Sequence, residues 1–393
     1  MRLLLYTHYF VPSVGGVENI TLSLAKGITE LPVEPGTAPH EVTVLTQTNA
    51  DGFDDSPLPF RIVRKPGFWK VLSCCLQADV VHIAGPSLLP MFLTWLTRKP
   101  VVVEHHGYQG ICPNGVLIQQ PGGNICPGHF QARNYQECLR CTEKESPPPR
   151  NRVRLFFMKL RHQLAKRVSA NIAITEYVNA RHNLPRTQVI YYGIDDPLAG
   201  SSADAPENHP ARPVFAFVGR FVPEKGIAIL LRAAKQLVAE GYDFEVRLIG
   251  DGTLRPEVEQ TIEREGLHNY VTITGFLRGP QIESALRGVA AVIMPSVWEE
   301  AAGLAAIEQM IRKRLVIASA VGGLSEVLGD AGLTFPCGDS TALAREMITV
   351  FRNPSLIRQY GEKGRARALR LFQRKRMILD HLKLYQALRT RQR

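Results

Sequence analysis

The feature that most restricts how this chain can fold is an alternation of short apolar runs with helical patterns that proceeds, breaks off and starts again. Residues 3–6, 42–46, 80–83, 100–104, 171–174 and 188–191 are short runs rich in Val, Ile and Leu and bounded by turn residues, as strands buried on both faces of a parallel sheet should be. The first run is followed by the turn Gly15-Gly16 and then by Ile20, Leu22, Leu24, Ile28 and Leu31 at roughly helical spacing. Residues 195–212, rich in Asp, Pro, Ser and Ala, interrupt the pattern. It restarts with strands at 214–218, 245–249, 271–274, 291–294 and 316–318, with helices at 226–240, 255–265, 282–287, 303–310 and 341–351. Strands alternating with helices build parallel sheets through crossover connections, so the reading is α/β, with two Rossmann-like doubly wound domains.

The expected division is an N-terminal domain at 1–195 carrying a cysteine-containing loop at 107–150, a linker at 196–212, a second domain at 213–372 and a basic helix at 373–393. A length of 393 residues suits two domains, and 45% hydrophobic against 21% charged residues excludes a disordered or fibrous chain. The longest uncharged apolar stretch, 84–97, falls short of the roughly 20 residues a membrane span needs and contains Pro86 and Pro90. The N-terminus turns polar soon after Leu3-Leu4-Leu5, unlike a secretory signal, and seven cysteines, an odd number, fit a reducing compartment. The cytoplasm is the expected location.

In open α/β sheets ligands lie beyond the carboxyl ends of the strands, so strand-to-helix loops should carry the chemistry. Gly15-Gly16 occupies the first such loop, where missing side chains let backbone N–H groups approach an anion. No Gly-x-Gly-x-x-Gly follows, which disfavours a dinucleotide oxidoreductase. In Gly219-Arg220-Phe221-Val222-Pro223-Glu224-Lys225-Gly226 a planar guanidinium and a flexible ammonium precede a helix, a pair able to clamp a diphosphate. In Glu299-Glu300-Ala301-Ala302-Gly303-Leu304-Ala305-Ala306-Ile307-Glu308 the small residues open a helix start to a phosphate, and Glu308, two turns further in, can accept hydrogen bonds from a vicinal diol such as a ribose.

Together with His8-Tyr9-Phe10-Val11-Pro12-Ser13-Val14-Gly15-Gly16-Val17-Glu18, Leu248-Ile249-Gly250-Asp251-Gly252 and Val321-Gly322-Gly323-Leu324-Ser325-Glu326-Val327, these stretches resemble the family 4 retaining glycosyltransferases of the GT-B fold over almost the whole chain. The resemblance implies two domains facing across a cleft and transfer of a sugar from a nucleotide-diphosphate sugar donor to a hydroxyl acceptor with retention, in cell-surface glycan or polysaccharide biosynthesis. It implies Arg220 and Lys225 on the diphosphate, Glu308 on the ribose, Glu300 on the sugar hydroxyls, amides from Gly303 and Leu304, and Gly15 and Gly16 approaching the donor from the other domain. It also implies a sugar-contacting histidine at His106, with His105 its neighbour and competitor. No cofactor is expected to be needed, since cations and amides can stabilise the leaving diphosphate and an Asp-x-Asp metal motif is lacking. Ala301-Ala302 stands where the family usually has Gly-Phe, and Tyr191-Tyr192-Gly193 where it has Pro-Asn-Gly. The alternatives are a non-catalytic sugar-nucleotide-binding protein and a GT-B epimerase or phosphorylase.

Cys112, Cys126, Cys138 and Cys141 sit in the 107–150 loop with a Cys-x2-Cys half-site, which nominates a structural zinc; disulfides, an iron–sulfur cluster or plain thiols are the competing readings. Cys74, Cys75 and Cys337 read as packing residues. The net charge of +11 is concentrated: residues 365–393 hold ten Lys/Arg against one acid, and residues 150–167 hold seven and no acid. That placement suggests a peripheral encounter with an anionic membrane on the inner face of the plasma membrane, where a lipid-linked acceptor would be met, in preference to nucleic acid. Val153, Phe156, Phe157, Leu160 and Leu164 are expected to pack inward, as are Phe372, Leu379, Leu382, Tyr385 and Leu388.

Overall fold

The interrupted alternation becomes two all-parallel sheets, each with its own helices, in a computed structural model that describes residues 1–13, 15–31, 39–200 and 212–390. One unit comprises Met1–Asp195 with Phe372–Arg393, the other Asp196–Leu371. Most of the stretch read as a linker lies at 201–211, outside the described residues, as does Val14.

The first unit runs β1 (Arg2–Thr7), α1 (Gly16–Glu30), β2 (Glu41–Thr46), β3 (Arg61–Arg64), α2 (Phe68–Gln77), β4 (Val80–Ala84), α3 (Leu88–Leu96), β5 (Val101–His105), α4 (Tyr135–Thr142), α5 (Arg150–Ala165), β6 (Ala170–Ala173), α6 (Glu176–His182) and β7 (Thr187–Val189). Its sheet order is β3-β2-β1-β4-β5-β6-β7. The second unit runs β8 (Val214–Val218), α7 (Ile227–Ala239), β9 (Glu245–Ile249), α8 (Arg255–Arg264), β10 (Val271–Gly275), α9 (Pro280–Ala285), β11 (Ala291–Met294), α10 (Leu304–Ile311), β12 (Val316–Ser319), α11 (Gly322–Leu328), β13 (Leu333–Phe335), α12 (Ser340–Arg352) and α13 (Ser355–Leu371). Its order is β10-β9-β8-β11-β12-β13. Both orders reverse direction beside the first strand of the unit, and the crevice at such a switch point is where doubly wound sheets bind ligands. The sheets are covered on both faces: β4, β11 and β12 are buried at every residue, which is why they read as mainly hydrophobic runs, with His82 and Ser319 the polar residues within them.

After α13 the chain re-enters the first unit as α14 (Arg374–Thr390). The return is stitched by Ile194 N donating to Phe372 O at 2.9 Å and Arg374 N donating to Ile194 O at 3.0 Å. A Cβ on Gly193 would meet Gln373 O at 2.4 Å, so the glycine of Tyr191-Tyr192-Gly193 is required by a passing backbone. On α1, a Cβ at Gly27 would lie 2.0 Å from Ile378 Cδ1, which shows how closely α14 seats there.

Several expectations need correction. Leu164 is buried, but Val153, Phe156, Phe157 and Leu160 are exposed; α5 instead turns Leu155, Met158 and Ala165 inward. Both faces of α5 carry apolar side chains at helical spacing, so periodicity alone could not say which one packs. In α14, Met377, Ile378, His381, Leu382, Tyr385 and Leu388 are buried, whereas Leu379 is exposed. Cys74 and Cys75 are buried, but Cys337 is exposed. β3 escaped notice because arginines at both ends mask a short edge strand.

Candidate active site

Two loops meet at the switch point of the second unit because β8 and β11 are neighbours. The first loop, after β8, holds Arg220 exposed and Lys225 half-buried. It turns through Gly226, whose φ of 68° lies in the left-handed region and whose Cβ would sit 1.9 Å from Pro295 O. The glycines of Gly250-Asp251-Gly252 serve the same loop, since a Cβ on Gly250 would strike Gly219 O at 1.9 Å and one on Gly252 would strike Phe221 O at 2.5 Å. That pair is a close-approach device and not merely a turn.

The second loop, after β11, carries Glu300 at 5% exposure. Lys225 Nζ donates to Glu300 Oε1 at 2.7 Å, and Ser296 Oγ donates to the same oxygen. Burial pushes the Glu300 carboxyl up, but the Lys225 charge and the hydrogen bonds from Lys225 and Ser296 outweigh it and hold the group below its ordinary range. The Glu300 backbone is clamped from the other side: Gly323 N donates to Glu300 O at 2.6 Å, and a Cβ on Gly322 would meet Glu300 N and O at 2.7 Å. Ala301 and Ala302 are buried, and Gly303, at φ 62°, is the N-cap of α10, so Leu304 opens the helix. Glu308 lies within α10 and is half-buried; burial pushes its carboxyl above the ordinary value, against the pull of Arg312. The structure therefore joins Lys225 to Glu300 directly and places Gly303 and Leu304 on the connected segment. It leaves Arg220 solvent-facing, able to move toward an anion.

In the first unit Gly15 is the N-cap of α1 and Gly16 its first residue. His106 follows β5; its Nδ1 is 2.7 Å from Tyr192 Oη and its Nε2 is 3.6 Å from Glu104 Oε2. Burial pushes its imidazole down more than Glu104 raises it, which favours the neutral ring. His105 differs: its Nε2 is 2.9 Å from Asn171 Oδ1, and burial brings it down to about 4. Sequence reasoning missed Tyr192, Ser296 and Glu104; for Glu104 the signal was a carboxylate closing the run Val101-Val102-Val103.

Of the loop cysteines, Cys112 and Cys138 are buried and Cys126 and Cys141 half-buried. Burial, reinforced by Cys112, Cys126 and Cys141, pushes the Cys138 thiol up to about 12. Cys141 Sγ accepts from Gln120 N at 3.3 Å, and Cys112 Sγ donates to Asn114 Oδ1 at 2.8 Å. Among the described residues these thiols do not form a metal-ready trio; the trio with ligand atoms within 4.8 Å of one another is His82, Glu104 and His381.

Two doubly wound parallel sheets with switch-point loops of this kind define a class of Rossmann-like α/β proteins, and comparison with known sequences makes the class specific. Residues 212–353 match the family described as glycosyl transferases group 1. Over 284 residues the chain is 31% identical to an alpha-D-kanosaminyltransferase of Streptomyces kanamyceticus, spanning 71% of this chain and 68% of that enzyme. An O-antigen chain mannosyltransferase C of Escherichia coli is 33% identical over 178 residues, 44% of this chain and 46% of its own. In structure, Anabaena HepE in complex with UDP-glucose superposes with a TM-score of 0.73 at 20% identity, covering 98% of this chain and all of the other. The chain belongs to the group 1 glycosyltransferases, and its fold is that of the GT-B enzymes.

Proposed function

We propose that this glycosyltransferase uses a nucleotide-diphosphate sugar, transfers a hexosyl group to a hydroxyl with retention in the manner of family 4, and works at an anionic membrane on a lipid-linked acceptor during cell-surface glycan assembly. The observation that carries the donor half is the Lys225–Glu300 pair at the switch point, 2.7 Å apart and framed by glycine-enabled close approaches. In this reading Lys225 and Arg220 take the diphosphate, the start of α10 at Gly303 and Leu304 offers amides, Glu308 takes the ribose, and Glu300 the sugar hydroxyls. Gly15, Gly16 and His106 keep the donor-facing and sugar-contacting roles implied by the resemblance. The bond from anomeric carbon to phosphate oxygen breaks with its electron pair going to the phosphate, where fixed cations stabilise the charge. The acceptor oxygen bonds to the same face of that carbon, and its proton passes to the leaving phosphate. HepE, a structural neighbour, binds UDP-glucose, which adds support for this donor class.

The acceptor half is supported by an exposed face. α3 packs beside α2 and α5, and Phe68, Trp69, Leu76, Phe92, Trp95, Leu96, Val153, Phe156, Phe157 and Leu160 on these helices are 40–77% exposed. Lys70, Arg98, Arg150, Arg152 and Lys166 are exposed on or at the ends of the same helices. Exposed aromatic side chains and exposed cations on the same helices fit the interface of an anionic bilayer. A cavity of about 450 Å³ lined by Gln109, Asn114, Arg154, Phe157 and Arg161 borders this face and could hold an acceptor phosphate. No helix among the described residues is long and apolar enough to cross a membrane.

Calorimetric titration of UDP, GDP and ADP, and of their sugars, tests the donor assignment. One nucleotide should bind in the micromolar range and weaken at least tenfold in Lys225→Met and Arg220→Ala. Unchanged affinity in both variants would refute it. Proton NMR of the product reports the anomeric outcome.

A further inference from the structure

We infer that the first unit holds a divalent metal ion, with zinc the best match to the donor set, between His82 of β4, Glu104 of β5 and His381 of α14. The three residues are at most 2% exposed, and one ligand atom from each lies within 4.8 Å of the others. His82 Nε2 is 3.1 Å from Glu104 Oε2, and His381 Nε2 is 3.7 Å from Glu104 Oε1. A tetrahedral zinc with bonds of about 2.0–2.1 Å separates its ligand atoms by about 3.3 Å, close to the distance of each histidine nitrogen from the Glu104 oxygen it faces.

The hydrogen bonding says why a cation belongs there. His381 Nδ1 donates to Met377 O at 2.8 Å, which leaves a lone pair on Nε2 of the neutral ring. That Nε2 and Glu104 Oε1 are both buried without a hydrogen-bond partner. Two electron-rich atoms facing each other in a dry site repel unless something positive lies between them. The 3.7 Å between them is longer than a hydrogen bond. A metal with two bonds of about 2 Å spans that gap comfortably. The outer nitrogens are engaged as they are in metal-bound imidazoles: His82 Nδ1 is 2.8 Å from Tyr385 Oη, and His381 Nδ1 bonds a carbonyl.

The ion is a clasp. Two of its ligands come from adjacent strands, and the third from the helix that rejoins the first unit after the whole of the second has been threaded through. Loading coincides with the docking of α14, and the metal holds that return in place; no step of the transfer reaction is routed through it.

The full-length chain, purified without a histidine tag from zinc-supplemented cells, should contain one equivalent of zinc that persists in Cys138→Ser/Cys141→Ser and is lost in His381→Ala. Cobalt added to the metal-free protein should give visible d–d bands without thiolate-to-cobalt charge transfer. This measurement on the unmutated chain decides the matter if His381→Ala does not fold. Folded protein that takes up neither zinc nor cobalt, or metal that survives His381→Ala and leaves with the cysteine substitutions, would overturn the assignment.

Discussion

Replacing Lys225 by Met strands Glu300, and the structure sets the size of the loss. The Lys225 side chain is 22% exposed and that of Glu300 7%, with nitrogen and oxygen 2.7 Å apart. At an effective dielectric constant near 20 the gross attraction at that distance is about 6 kcal/mol, most of which desolvation cancels. Removing one partner of a buried pair costs about 3–5 kcal/mol, and the partial exposure of Lys225 with the surviving Ser296 hydrogen bond reduces this to about 2–3 kcal/mol. For a unit of this size each kcal/mol moves the midpoint by about 2–4 °C, so calorimetry of the donor-free protein should show a drop of about 4–12 °C. The pair Lys225→Met/Glu300→Gln, which leaves no stranded charge, should recover at least about 1 kcal/mol relative to the sum of the singles. The pH dependence changes sign. In the native chain the Glu300 carboxyl is held low, so its contribution is full above the unfolded carboxylate value of about 4.3 and is lost as pH falls through the lower folded value. In Lys225→Met burial prevails, the folded value rises above the unfolded one, and stability falls as pH climbs through that window. Additivity of the two substitutions within about 0.5 kcal/mol, or an acid profile unchanged in Lys225→Met, would refute the reasoning.

Glu308→Gln should leave the donor-free melting temperature unchanged or raised, since burial already disfavours the ionised form, while nucleotide affinity measured by calorimetry falls about tenfold or more through loss of a charged hydrogen-bond acceptor. Gly226→Ala should cost more than about 3 kcal/mol, because the new Cβ meets Pro295 O at 1.9 Å in a left-handed backbone; a soluble variant with native denaturant midpoint would contradict this. The native protein should sediment with acidic but not zwitterionic vesicles at low salt, and combined Trp69→Ser, Trp95→Ser and Phe156→Ser should weaken that binding about tenfold or more with the melting temperature preserved, since all three side chains are exposed.

Local chemistry was readable along the chain. Runs such as Ala291–Met294 announce buried parallel strands because both faces are covered, and Gly219 to Gly226 and Glu300 to Glu308 could be nominated because a cation pair, small residues and a carboxylate each suit one part of a nucleotide sugar. What a linear pattern does not contain is which strands are neighbours. Only the order β8-β11 puts Lys225 against Glu300, 75 residues apart, and only the seating of α14 brings His381 to Glu104. The outward face of α5 was hidden for a related reason. Phe156 and Leu155 have similar transfer free energies, and the choice of which one faces water is made by the helices packed alongside and not by the segment itself. Hydrophobicity and spacing are properties of a residue and its near neighbours, whereas burial, pairing and the fate of a buried lone pair depend on atoms that arrive from distant parts of the chain.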